Sequence, residues 1–354
     1  MAWHLLVVRL GVDFAYARSA RQSANTVAAS MPPYRGRLVS LRKDWQRMIQ
    51  HSGDANSKVA GALMGLAVGD ALGAPVEFQE RGSFPLVTEM RAGGYFRLPA
   101  GAWTDDTAMA LCLADSLIAH PAFDPADMLN RFLRWMNDHE NTSTGRCVGV
   151  GQNTLAVMGN YHRTGALIAP PVKGRSDGNG AIMRLAPVAC MHWRDIETAR
   201  RISVRQSQAT HCSELSAAAS DMLSWLLSLL IGGASWLDAL ASIRSNEWHE
   251  DIQAIAAGAW ASKSADEISS SGYVVHTLEA AMWAVGTTTS FEEALITAVN
   301  LGRDADTVGA VAGQIAGARY GVQSIPERWL NVIAKREALE ATVDALVEGT
   351  GCSG

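Results

Sequence analysis

The sequence predicts an all-α protein folded as one compact orthogonal multi-helix domain, and three observations carry that expectation. From Ser57 onward, long Ala/Leu/Met-rich stretches dominate, alternating β-branched runs are few, and glycines and prolines mark the breaks between periodic segments. A chain of 354 residues with 48% hydrophobic content has enough apolar material for a sizeable core.

Residues 1–56 show no sustained period, and Pro32-Pro33 followed by Gly36 breaks any helix there. They read as a basic N-terminal arm. A transit peptide, or a start placed upstream of Met31 or Met48, fits the same composition. Within the arm, Leu41, Trp45 and Met48 lie at the spacing of a short basic helix over Arg42–Ile49. Residues 1–50 carry eight Arg/Lys against Asp13 and Asp44, a net +6, while the remainder has 22 basic and 33 acidic residues, a net −11. An acidic body argues against nucleic-acid binding.

The domain, 57–354, is expected to place helices at 57–71, 106–119, 125–138, 150–158, 195–207, 213–231, 235–243, 250–261, 274–285, 290–300, 307–320 and 338–347, with long loops at 79–103 and 159–180. Apolar stretches such as Leu223–Ile231 fall short of the roughly 20 residues a bilayer requires, so no membrane span is expected. Five widely spaced cysteines without a CxxC pair suggest neither a disulfide framework nor a zinc site, and a reducing, cytoplasmic location is expected.

Two of these helices carry glycine every fourth residue: Gly61, Gly65, Gly69 and Gly73 in the first, and Gly309, Gly313, Gly317 and Gly321 in the second. Glycine costs helix stability, so a one-face stripe signals close backbone approach, for packing or for a ligand. If the stripes pack antiparallel, the end of the first helix, leading to Glu77, lies beside Asp304–Thr307.

Acidic pairs precede two apolar helical runs, in Thr104-Asp105-Asp106-Thr107 and in Asp304-Ala305-Asp306-Thr307. Helix capping explains one acid at each place. A second adjacent carboxylate adds repulsion that a cap does not require, and hard divalent cations relieve it through carboxylate and hydroxyl oxygens. Downstream, the loop Gly174-Arg175-Ser176-Asp177-Gly178-Asn179-Gly180 could expose backbone N–H groups to an anion, or be a plain loop. His211 could cap the following helix or donate to a phosphate.

Taken in order, several segments resemble the ADP-ribosylglycohydrolase family. They are Gly61-Ala62-Leu63-Met64-Gly65 through Gly69-Asp70-Ala71-Leu72-Gly73-Ala74-Pro75-Val76-Glu77, then Trp103 to Thr107, Gly178-Asn179-Gly180-Ala181-Ile182-Met183-Arg184, Thr210-His211, Gly272-Tyr273-Val274-Val275 and Gly302-Arg303-Asp304-Ala305-Asp306-Thr307. The resemblance implies an all-α fold with a binuclear Mg²⁺ or Mn²⁺ centre, whose ligand positions match Thr104, Asp105, Asp106, Asp304, Asp306 and Thr307. It implies a catalytic role for Asp105, Asp106 or Glu77, the last matching a mobile acid in some relatives. It puts diphosphate and ribose at Ser176, Gly178, Asn179, Gly180 and His211, and adenine near Tyr273 and Val274. The implied reaction is hydrolysis at C1″ of the distal ribose of an ADP-ribosylated protein, most often at arginine. Two other functions fit the same motifs. One is an immunity protein that neutralises an ADP-ribosyltransferase toxin by hydrolysis or by inserting an arginine of the arm, among Arg35, Arg37, Arg42 and Arg47, into its acceptor site; the other is a non-catalytic ADP-ribose-binding module.

Overall fold

The computed structural model describes residues 54–172 and 176–349. Among them the secondary structure is helical, without a sheet: α1 (Asp54–Gly73), α2 (Asp105–Ala119), α3 (Pro125–Asp138), α4 (Gln152–Thr164), α5 (Ala186–His192), α6 (Ile196–Gln208), α7 (Glu214–Ile231), α8 (Trp236–Arg244), α9 (Glu250–Ala257), α10 (Val274–Gly286), α11 (Phe291–Val299), α12 (Ala305–Tyr320), α13 (Glu327–Leu330) and α14 (Arg336–Gly349). Every helix expected from Ser57 onward is present, with some ends shifted, while the one expected over Arg42–Ile49 lies outside the described residues. The segment expected as 250–261 breaks at Gly258, whose φ of 88° lets the chain leave α9 through a left-handed residue into a short 3-10 turn. Helices α5 and α13 were not expected, because seven and four residues are too few to display a period. The expected arm lies outside the described residues, except that Asp54, Ala55 and Asn56 belong to α1.

Local sequence explains several helix starts. Asp124, Asp195, Ser213, Ser235 and Ser290 each accept a backbone N–H from the first turn of the helix they precede. Two segments, Asp54–Val76 and Glu214–Ile231, are long and apolar enough to cross a membrane, contrary to the expectation from uninterrupted apolar runs. The first is 100% buried within the protein and the second 61%, which makes them core helices here.

The axis of the domain is the pair α1 and α12. Their glycines meet one to one and in reverse order: a Cβ built on Gly61, Gly65 or Gly69 would overlap the carbonyl oxygen of Gly317, Gly313 or Gly309 respectively, and one on Gly73 would overlap that of Ala305. The stripes therefore serve close antiparallel packing, and residues of both helices along this seam are buried throughout. Around it, α10 and α11 pack on α12, and α14 and α5 on α1.

The same arrangement brings the chain after Gly73 beside the start of α12. Phe78 N–H donates to Arg303 O and Arg303 N–H to Gln79 O, both at 2.6 Å. Gly302, at φ 70°, lies against Gln79 O, and Arg81 donates to the carbonyls of Leu301, Ala265 and Ile268. The loop before α2 is held from the other end of the chain: Trp103 Nε1 donates to Ala334 O at 3.1 Å and Ala334 N–H to Gly101 O at 2.9 Å.

A methyl group at Gly69 has no room, so Gly69→Ala is expected to lower stability by about 2–3 kcal/mol in denaturant titration. Gly159 lies in α4 with nothing within 4 Å of a built Cβ, and Gly159→Ala should raise stability by about 0.5 kcal/mol. Equal effects of the two changes would contradict the packing described.

Candidate metal centre

At the junction of α1, α2 and α12, six carboxylates converge from four places in the chain. Asp70 comes from α1, Glu77 from the turn after it, Asp105 and Asp106 from the start of α2, and Asp304 and Asp306 from the start of α12. Oxygens of Asp70, Asp106 and Asp306 lie within 4.8 Å of one another, as do those of Glu77, Asp304 and Asp306, so the two groups share Asp306. Thr104 Oγ1 sits on the first group, at 2.9 Å from Asp70, 3.1 Å from Asp106 and 3.5 Å from Asp306.

Capping does not account for these acids. Neither Thr104 nor Asp304, the N-cap residues of α2 and α12, makes a side-chain cap bond. For α2 the task falls to Asp70, whose carboxylate accepts the N–H groups of Thr104 and Thr107 at 2.9 and 3.0 Å and the Thr107 hydroxyl at 2.6 Å. Asp70 is the residue that sequence reasoning quoted in a motif but left without a role. A fully buried acid among Ala, Leu, Val and Gly in a helix was the available signal.

The electrostatics favour a cation. Burial, reinforced by Asp105, Asp304 and Asp106, pushes the Glu77 carboxyl up to about 9. Burial also holds Asp105, Asp106 and Asp306 well above the usual range, with neighbouring carboxylates adding to the shift. Asp70 rises to about 6 by burial against the opposing pull of its threonine hydrogen bonds. Glu77 Oε2 and Asp106 Oδ1 are buried without a hydrogen-bond partner. Orphaned carboxylate oxygens in a cluster that has no ion pair among the described residues fit hard divalent cations.

The structure brings Thr104, Asp105, Asp106, Asp304, Asp306, Thr307 and Glu77 together, but not all equivalently. Asp105 belongs to neither close group; its Oδ1 lies against the α-carbon of Gly149, whose φ is 84°. Asn179 reaches the centre directly, its Nδ2 donating to Asp304 Oδ2 at 2.5 Å and to Thr277 Oγ1 at 2.9 Å.

The remaining expected binding residues form an adjoining segment. Gly178 and Tyr273 form an isolated antiparallel bridge, with Asn179 N–H donating to Gly272 O at 3.1 Å and Val274 N–H to Asp177 O at 2.9 Å. Ser176 is buried, its N–H given to Val172 O and its Oγ accepting Val172 N–H. The expected display of free backbone N–H groups to an anion is thus corrected at Ser176 and Asn179, where turn and bridge bonds consume them. Gly174 and Arg175 lie outside the described residues. Tyr273 is partly exposed and edge-on to His276 at 5.0 Å, whereas Val274 is fully buried in the core. His211 does not cap α7, because Ser213 does; its ring packs on Gly180, and burial together with the charge of Arg184 pulls its pKa down to about 3.

A family model described as ADP-ribosylglycohydrolase matches residues 51–353. An "ADP-ribosylarginine hydrolase Tri1" of Serratia proteamaculans is 42% identical over 82% of this chain and 78% of its own length. An "ADP-ribosyl-[dinitrogen reductase] glycohydrolase" of Rhodospirillum rubrum is 36% identical over 84% and 97% respectively. A solved structure titled "ADP-ribosylglycohydrolase-related protein complex" superposes with a TM-score of 0.75 at 39% identity, covering 84% of this chain and 99% of that one. This chain belongs to the ADP-ribosylglycohydrolase family. It is an enzyme of that class, and its all-α fold is the fold of that solved relative.

A raised carboxyl pKa means that the folded, cation-free protein keeps protons the unfolded chain has released. Stability should therefore fall as pH rises from about 4.5 to about 9 for Glu77, and from about 4 to about 6 for Asp70. Thermal melts in EDTA should show this decline, and added Mg²⁺ or Mn²⁺ should raise the melting temperature more at about pH 8 than at about pH 5. A cation effect independent of pH would count against the cluster as the binding place.

Proposed function

We propose that this protein is a divalent-cation-dependent hydrolase that releases ADP-ribose from modified arginine side chains of proteins. The observation that carries the proposal is the pair of acidic groups sharing Asp306, with orphaned oxygens on Glu77 and Asp106. The arginine assignment draws support from relatives named ADP-ribosylarginine hydrolase at 42% and 40% identity.

Asp70, Asp106, Asp306, Asp304 and Glu77, with the Thr104 and Thr307 hydroxyls, would hold two cations, Mg²⁺ or Mn²⁺. Such ions supply positive charge that fixes vicinal ribose hydroxyls and makes water more acidic. Asp105, outside both groups, is left free to take a proton from a water attacking C1″ as the bond from C1″ to the guanidinium nitrogen breaks through an oxocarbenium-like state. The departing nitrogen gains a proton, which Asp105, protonated by the attacking water, would return to it. Asn179 ties the segment Gly178–Gly180, with His211 and Tyr273, to Asp304, so diphosphate and adenosine held there deliver the distal ribose to the acids.

Release of ADP-ribose from arginine-modified protein, measured with Mg²⁺ and then with EDTA, tests the reading directly. EDTA should abolish turnover, and Asp306→Ala and Asp105→Asn should each lower kcat by about 10²-fold or more. Turnover unaffected by EDTA, or confined to a different acceptor, would refute the respective part of the proposal.

The +6 charge of residues 1–50 favours a second activity, neutralisation of an ADP-ribosyltransferase toxin by the arm. Protection of cells from such a toxin should then survive Asp304→Ala and fail on deletion of residues 1–50. The reverse pattern would leave hydrolysis as the whole of its function.

A further inference from the structure

Behind the Gly178–Gly180 turn lies a buried cation without an ion pair among the described residues. Arg184 is 0% exposed. Its Nη1 donates to Gly180 O at 2.7 Å, its Nε to Gln206 Oε1 at 2.9 Å, and its Nη2 to Gln206 O at 3.1 Å and to Thr210 Oγ1 at 2.7 Å. Its Cζ lies 5.0 Å from the Phe132 ring centroid. All these partners are neutral, and a charge buried among neutral groups is a costly way to fill a core.

The network is aimed at one stretch of backbone. Gly180 O accepts from Arg184, Ala181 O from Gln206 Nε2 at 3.0 Å, and the carbonyls of Ile182 and Met183 from Gln314 Nε2 at 3.1 and 2.8 Å. Four successive carbonyls are thus held by Arg184, which follows them directly, and by two side chains from elsewhere in the fold, Gln206 and Gln314.

The same guanidinium also reaches the histidine on Gly180. Thr210 Oγ1 accepts from Arg184 and lies 2.9 Å from His211 Nδ1. The assignment that satisfies all three groups has Thr210 donating to an unprotonated Nδ1, which leaves the imidazole proton on Nε2. A Cβ on Gly180 would come within 2.6 Å of His211 Cε1 and 3.0 Å of Nε2, so that edge of the ring rests on the backbone Arg184 holds.

We infer that Arg184 is a positioning residue for the diphosphate of ADP-ribose: its planar fork fixes the Gly180 backbone and, through Thr210, the Nε2–H tautomer and orientation of His211. The inference rests on the reading that Gly180 and His211 take ADP-ribose. A lysine at 184 keeps the charge but cannot span Gly180 O, Gln206 and Thr210 together. The arginine works here through geometry.

Thr210→Val, which removes only the link between Arg184 and His211, is the mildest test. Nitrogen-15 NMR of the ligand-free protein should show His211 as the Nε2–H tautomer in the wild type and a mixture in the variant. Calorimetric Kd for free ADP-ribose, and KM for modified arginine, should rise about tenfold while kcat stays within about twofold. Arg184→Lys should weaken binding as much as Thr210→Val, with melting temperatures confirming that both variants fold; if Arg184→Lys fails to fold, Thr210→Val decides alone. An unchanged tautomer, unchanged ADP-ribose affinity in Thr210→Val, full rescue by lysine, or a wild type that binds no ADP-ribose would each overturn the inference. A wild type that binds ADP-ribose but releases none from modified arginine would sink the hydrolase reading and leave this one standing.

Discussion

Where the carbonyl oxygens of Gly309 and Gly313 press on the α-carbons of Gly69 and Gly65, two helices share a line of contact that no side chain can enter. Side-chain packing alone would let helices slide or rotate over a range of interaxial distances. Backbone-to-backbone contact repeated over four turns removes that freedom and fixes the register of α1 against α12. Register is what the acids need: Asp70 follows Gly69, Glu77 lies one turn past Gly73, and Asp304 and Asp306 flank the residue that Gly73 meets. A helix pair spaced by leucines would hold the same carboxylates several ångströms further apart, beyond joint reach of one small cation.

That precision carries an electrostatic cost. Six carboxylates, five of them buried and Asp304 partly so, several with pKa values raised by burial and by each other, oppose folding at neutral pH unless protons or cations neutralise them. Among the described residues, no lysine or arginine pairs with these acids, and the carboxylates of Asp105 and Asp304 are not spent on helix caps. The fold transfers capping of α2 to Asp70, reached from another helix, and leaves oxygens of Glu77 and Asp106 without partners. Retained strain of this kind is characteristic of sites where a ligand supplies what the protein withholds.

Much of this was legible in the sequence because it is written in local patterns. The four-residue glycine spacing marked a close backbone approach, whose antiparallel register only the structure supplies, and doubled acids before apolar runs marked four of the six carboxylates. What escaped depends on residues far apart in the chain. Asp70 looks like any helix residue until Thr104 and Thr107, 34 and 37 positions later, fold against it. Val274 sits in a motif beside a partly exposed tyrosine, yet α10 turns its side chain into the core. His211 precedes α7 closely enough to cap it by type, yet in the fold Ser213 takes that role. The break at Gly258 is a tertiary effect of the same kind, since Trp260 packs on Gly286 of another helix.

The placement of opposite charges gives the site its logic. Arg184 is buried close enough to Asp105 for the acid's charge to act on it, yet the arginine bonds to Gly180, Gln206 and Thr210 instead. A core built for stability alone would join the two, because a buried ion pair is less unfavourable than two separate buried charges. Keeping them apart leaves the acids for cations and the guanidinium for the Gly180 backbone, with Asn179 hydrogen-bonded to Asp304 between the two. On the proposed function, the distal ribose of ADP-ribose meets the acids while its diphosphate meets the backbone that Arg184 holds, so the two groups serve one ligand only while they stay unpaired.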